Sequence, residues 1–317
     1  MKKIPTWQLF AVCLLVWSTT WYVITFQVDT VAPELGVALR FCLASAVIFV
    51  LCLLRRQPLR FSAAQHRRFA LQGVLLYGVS YVCVYRAEGL IVSGLVAVGF
   101  SLSPLVAGLG AWWAFGARVA PRFLVGGLLS VLGVVLISWP EITHGLRGTR
   151  AMAGVAMTLA AVLLSAGGGL VSSRNTRAGM PLWPSLAWGM LYGGLSALVL
   201  ALPRLPQFVL PSGALWWLCL AYLSVAGSVL TFACYLTIQE RRGPGAAATL
   251  GVMTPVLALV ISTVFEGYRP DLLAVLGVGL AMAGNSLMLR REDSRAPSGP
   301  TQAARSAARQ EAGTSRQ

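Results

Sequence analysis

GFSLSPLVAGLGAWWAF, residues 99–115, is apolar almost from end to end, yet it carries a proline, Pro104, at its sixth position. Proline has no N–H to donate and its ring crowds the carbonyl four residues back, so a helix interior tolerates it poorly. Sliding the chain along itself by 151 residues brings Ser103-Pro104 onto Thr254-Pro255, inside GVMTPVLALVISTVF at 251–265. At that offset Gly94 meets Gly245, Ala97 meets Ala248, Ala107 meets Ala258 and Gly116 meets Gly267. Arg118 then meets Arg269, Gly126 meets Gly277, Leu129 meets Leu280, and Gly133 meets Gly284. The chain reads as two copies of one unit joined near residues 140–151.

The solvent of that unit follows from composition. Of the 317 residues, 57% are hydrophobic and 11% charged, with a mean hydropathy of +0.74. A water-soluble domain carries roughly 25% charged residues. Ten apolar runs are long enough to cross ~30 Å of hydrocarbon as helices: 6–26, 34–54, 68–87, 92–115, 121–139, 152–173, 183–202, 213–238, 245–265 and 271–289. They lack the strict alternation of barrel strands, so the expected fold is an all-α polytopic membrane protein. The first run is too long for a signal-peptide core, and no small-x-small cleavage site follows it, so it is expected to remain as a span.

Charge placement sets the expected orientation. With a cytoplasmic N-terminus, 19 of the 25 Lys and Arg fall in cytoplasmic segments, five in external ones, and Arg40 within a span. That is the positive-inside bias. The formal charge of +15 thus implies topology, and nucleic acid is not expected as a partner. Both termini are predicted cytoplasmic, in a bacterial-type inner membrane. The units run over 1–146 and 147–290, with 291–317 as a disordered tail rich in Arg, Ala, Ser, Gly and Gln. Five spans per unit is odd, so the second copy enters from the opposite side. Inverted repeats with interrupted helices are a transporter architecture, and Pro104 and Pro255 are expected to bend the fourth and ninth spans at the wall of one cavity.

Several stretches resemble the EamA-type transporters of the drug/metabolite transporter superfamily. LVWSTTWYV at 15–23 is similar to that family's Trp- and Ser/Gly-rich opening, and LRFCLASAVI at 39–48 to its Arg-Phe signature. Ser/Thr-Pro elements in the fourth and ninth spans, each followed by a Gly-rich span, complete the likeness. The match covers about residues 6–290. It implies export or exchange of small metabolites, aromatic amino acids among them. In the second half LLSAGGGLVSS at 163–173 stands where the tryptophan motif would be, so the two halves of the site are expected to differ.

The candidate substrate-binding residues are Trp17, Trp21, Arg40, Tyr77, Tyr81 and Tyr235. Trp17 and Trp21 lie i, i+4 in mid-span, away from the interface where tryptophan usually anchors; packing against lipid or a neighbour is the alternative. Tyr77, Tyr81 and Tyr85 form an i, i+4, i+8 stripe in the third span, and Tyr235 is the comparable tyrosine of the eighth. Aromatic faces with a few hydroxyls suit amphipathic, ring-bearing or cationic solutes. Arg40, about six residues into the second span, either anchors a substrate carboxylate or pairs with Asp29 or Glu34 near the external surface. Phe100, Ser103, Pro104, Thr254 and Pro255 are expected to shape the cavity. Gly126, Gly133, Gly277 and Gly284 give smooth faces where the repeats are expected to meet.

Absences narrow the function. His66 and His144 are expected in loops, which leaves no intramembrane hydrolase centre or metal site, and no GxxxxGK[ST] loop is present for ATP. No cofactor is expected. With no Asp or Glu deep in a span, facilitated transport is expected, and Glu88, Glu240 and Glu266, expected exposed at span ends, are the groups that would overturn it. The resulting expectation is a carrier of small organic solutes working by alternating access, with lipid and solute as partners. A membrane transferase and a non-transporting scaffold are the rivals. Substrate, coupling, direction and the choice of monomer or homodimer stay open.

Overall fold

The computed structural model describes residues 4–28, 30–116, 119–143, 148–209, 211–242 and 250–289. It is all-helical there: α1 (Thr6–Val28), α2 (Pro33–Leu54), α3 (Ala63–Glu88), α4 (Ser93–Phe115), α5 (Pro121–Thr143), α6 (Gly148–Arg177), α7 (Leu182–Ala201), α8 (214–242), α9 (Leu250–Phe265) and α10 (Leu272–Leu289). Nine contain a membrane-length apolar stretch; α9 is a shorter apolar helix whose expected first residues, 245–249, lie outside the described part. Asp29, His144 and the expected tail from 291 also lie outside it.

Helix starts diverge from the apolar runs where polar side chains build a turn. α3 begins at Ala63, not 68, because Ser62 and Gln65 form a reciprocal cap: the Ser62 N–H donates to Gln65 Oε1 at 2.8 Å, and the Gln65 N–H to Ser62 Oγ at 3.3 Å. His66, expected in a loop, is therefore on this helix, 3.0 Å from the Tyr192 hydroxyl. The expected 140–151 loop is mostly helix as well, since α5 runs through Thr143 and α6 starts at Gly148.

The repeat is visible in the backbone. At the offset of 151, the start of α3 at Ala63 falls on the start of α8 at Ala214, and that of α5 at Pro121 on that of α10 at Leu272. Both α3 and α8 contain a π-helical segment, Val74–Val79 and Tyr222–Leu230, and regular α-helix resumes at Ser80 and Thr231, again 151 apart. Such i→i+5 stretches are rare and concentrate at functional positions. Among the described residues the fold is thus ten helices in two inverted five-helix repeats.

Small residues let the repeats approach. A Cβ added to Gly133 would lie 2.5 Å from the carbonyl oxygen of Gly277, and one added to Gly277 2.6 Å from that of Gly133. One turn away Ser130 Oγ donates to the Ala281 carbonyl at 3.4 Å. α2 and α7 pair similarly, with Ser45 Oγ donating to the Ala187 carbonyl at 2.8 Å. In α6, Gly168 lies against the Leu76 backbone while Gly169 faces open space. Gly133→Val or Gly277→Val should therefore destabilise the protein by about 1–3 kcal/mol through overpacking, read as a lower midpoint of thermal unfolding in detergent. Gly169→Val should unfold like wild type; equal losses from all three would remove the crossing from the account.

The proline of the opening stretch has a local explanation. A 3-10 turn, Phe100–Leu102, interrupts α4, and Pro104 sits in the first turn of the α-helical segment Ser103–Phe115. A missing N–H costs nothing in that turn, because first-turn N–H groups have no partner within the helix. Pro104 thus marks a restart of helix and not an insult to its interior. Pro255 is different: it lies inside α9 and is buried. Ser18 Oγ of α1 donates to the adjacent Thr254 carbonyl at 3.3 Å.

Candidate functional site

Five of the six predicted substrate-binding residues belong to one connected cluster inside the bundle. The Trp17 ring of α1 meets Tyr235 at 5.4 Å and Phe232 at 5.8 Å, both from α8. Phe232 meets Tyr77 of α3 at 5.8 Å, and Tyr77 meets Phe41 of α2 at 5.4 Å. Phe41 in turn holds Tyr81 edge-on at 4.7 Å, and the Arg40 guanidinium lies 4.9 Å from the Tyr81 centroid and 5.3 Å from that of Phe41. A chain of rings thus runs from Tyr235 to a cation. Trp21 stands apart, packed on Phe100 at 5.2 Å.

Arg40 is deeper than its position suggests. It is 2% exposed, so it does not snorkel to the surface, and of its two expected partners Glu34 is engaged elsewhere. Glu34, also buried, is ion-paired with Arg86 of α3, and Asp29 lies outside the described residues. Arg40 instead donates from Nε to Ser228 Oγ at 3.4 Å and from Nη1 to the Tyr85 hydroxyl at 3.5 Å. The Tyr85 hydroxyl in turn donates a hydrogen bond to Gln27 Oε1 at 3.1 Å. Gly227, in the π segment of α8, lies beside the guanidinium and against Thr20 of α1, whose Cγ2 would stand 2.7 Å from an added Cβ. Among the described residues no carboxylate lies within ion-pair distance of Arg40. A buried cation without an ionic partner is costly, and an anionic ligand group would supply one.

The residues before the two prolines share another property. Ser103 Oγ and Thr254 Oγ1 are buried and have no hydrogen-bond partner. The same holds for Ser101 Oγ, beside a narrow cleft lined by Val98, Pro255 and Asn285 among others. Buried hydroxyls normally find partners, so these three are available to a water or a solute.

Sequence reasoning read Tyr85 as part of the third-span stripe but missed Phe41, Phe232, Ser228 and Gln27 as neighbours of the candidate site. The signal for two was present, because the 151 offset that aligns the prolines takes Tyr81 to Phe232 and Tyr77 to Ser228. Two further expectations are corrected. Glu88, expected exposed, is 7% exposed, and Glu34 is 1% exposed, so carboxyl groups do lie inside the bundle. Their depth depends on which helices pack around a span end, which a linear reading cannot show. The Glu240 side chain lies outside the described residues.

Apolar helices in two repeats around a buried aromatic and cationic cluster define a polytopic membrane transporter. The model of the EamA-like transporter family matches residues 6–139 and again 152–290, once in each half, and the chain belongs to that family. It is similar to the protein PecM of Dickeya dadantii, 27% identical over 266 residues, with 83% of this chain and 84% of that protein covered. It is also similar to PagO of Salmonella typhimurium, at 22% identity over 84% of this chain and 87% of that protein. The inner membrane transporter YedA of Escherichia coli is 24% identical, over 88% and 89% of the two chains. A solved crystal structure shares the fold with a TM-score of 0.64 at 20% identity, covering 88% of this chain and 94% of that one.

Proposed function

We propose that this protein carries small organic solutes bearing a carboxylate and an aromatic or amphipathic body across the membrane by alternating access of its two repeats. The observation that carries this reading is Arg40, a buried guanidinium with no carboxylate in ion-pair reach among the described residues, at one end of a ring chain. A guanidinium fork suits a carboxylate, and ring faces give shape-tolerant contact to an apolar or aromatic side chain. Ser103 and Thr254 then offer polar contacts from pseudo-equivalent places in the two repeats. Amino acids with large side chains fit these demands, and outward movement follows the family resemblance. Efflux of amino acids, purines and aromatic cations from loaded proteoliposomes tests it: loss of amino acids supports the reading, and retention of all three classes refutes it. A transferase or a scaffold would retain them.

The orientation is part of the proposal, with both termini in the cytoplasm on the strength of the basic-residue bias. It predicts that, without native cysteines, Thr149→Cys reacts with an impermeant thiol reagent from outside while Ala178→Cys does not. Both positions are exposed at opposite ends of α6. The reverse pattern would invert the topology.

A further inference from the structure

Glu88 closes α3 with a carboxyl group that is more than nine-tenths buried and whose two oxygens both lack a hydrogen-bond partner. A carboxylate so placed would carry its charge without water or a donor, which is severely unfavourable. Its electrostatic neighbour across the bundle is Glu266, just after α9, and the two repel when both are ionised. Glu266 Oε2 accepts the Ser93 N–H at 3.2 Å, at the N-terminus of α4, while its Oε1 is buried without a partner. A helix N-terminus favours a negative charge, so Glu266 is the member of the pair suited to stay ionised. Glu88, with no donor at all, is the member suited to hold a proton.

This pair sits where the two proline-bearing helices meet. Besides Glu266, Ser262 of α9 engages the start of α4, accepting from the Gly94 N–H at 2.9 Å and lying 3.1 Å from Ser93 Oγ. The other charged groups near Glu88 have been placed. Arg40 on α2 attracts it, Tyr85 on its own helix is tied to Gln27 and Arg40, and Arg86 is engaged by Glu34. On α6, Arg150 is exposed. Among the described residues none supplies Glu88 with a direct partner.

We propose that Glu88 binds a proton at this face of the bundle, and that its release sets two carboxylates against each other and parts α4 from α9. The step is balanced: the O–H bond of the Glu88 carboxyl breaks, the proton passes to water on the face that opens, and no other bond changes. Reprotonation from water reverses it. Deprotonated Glu88 also draws on Arg40, in competition with a solute carboxylate, so solute movement and proton movement are tied. This inference rests on the carrier reading and replaces the expectation of uncoupled transport.

Infrared difference spectra of the full-length protein in lipid, taken between about pH 5 and pH 9, test the site without any solute. A protonated-carboxyl stretch that titrates in wild type, vanishes in Glu88→Gln and shifts in Glu266→Gln is expected. A wild-type spectrum unchanged by Glu88→Gln overturns the proposal, and Glu266→Gln provides the same comparison should the first variant fail to fold. In proteoliposomes holding a pH dye, gradients of L-phenylalanine and L-tryptophan should drive proton flux in wild type and at least roughly tenfold less in Glu88→Gln. Solute movement with no proton flux overturns the coupling. If neither amino acid moves, the carrier reading fails for these probes, and the infrared arm still decides the proton site.

Discussion

Replacing Arg40 with glutamine should abolish most transport while leaving a protein that inserts and purifies. The guanidinium makes two charged hydrogen bonds, to Ser228 and Tyr85, and lies against two ring faces. A charge-assisted hydrogen bond to a substrate carboxylate is worth about 1.5–3 kcal/mol, so its loss should cut amino acid transport roughly tenfold to hundredfold. Glutamine keeps length and hydrogen-bonding capacity, and it relieves the bundle of a buried charge. A stability no lower than wild type together with lost transport would mark Arg40 as a substrate anchor. Lost stability with normal transport in the surviving fraction would mark it as a helix-fixing residue. Arg40→Lys retains the charge without the planar fork and should recover only part of the rate.

The second large effect is expected along the ring chain. Trp17→Ala removes contacts to both Tyr235 and Phe232, and Tyr81→Ala removes the ring shared by Phe41 and Arg40. A lost stacking or cation–π contact costs on the order of 1–2 kcal/mol, which predicts a several-fold to roughly thirtyfold lower transport rate. Tyr81→Phe separates ring from hydroxyl and should stay close to wild type if the ring carries the contact. Full rates in both alanine variants would take these residues out of the site.

Much of this architecture was legible in the chain. Apolar runs announce membrane helices because lipid leaves a backbone few other options, and the shared prolines and glycines at one offset announce the repeat. Gly133 and Gly277 could be read as a contact because only small residues allow backbones to touch. The site was legible in its aromatic members, which stand out from aliphatic surroundings.

What resisted reading depends on tertiary context. The π segments in α3 and α8 change which side chains face inward, and no residue pattern distinguishes them from ordinary helix. Arg40 reads as near-surface because it follows the start of α2 by only a turn or two. It is deep because Ser228 of α8 and Tyr85 of α3 close over it. Glu34 looked like its partner until α3 brought Arg86 to it. Glu88, at a span end, reads as wet for the same reason that Arg40 reads as snorkelling: depth is set by neighbours, not by distance along the helix.

The central claim is that a buried guanidinium and its ring chain hold a solute carboxylate during transport. Exchange of radiolabelled L-phenylalanine across proteoliposomes, wild type against Arg40→Gln at matched protein content, measures it most directly. Rapid exchange by wild type that falls at least roughly tenfold in the variant is the predicted result. Equal exchange by the two proteins, or none above empty vesicles by either, would contradict it.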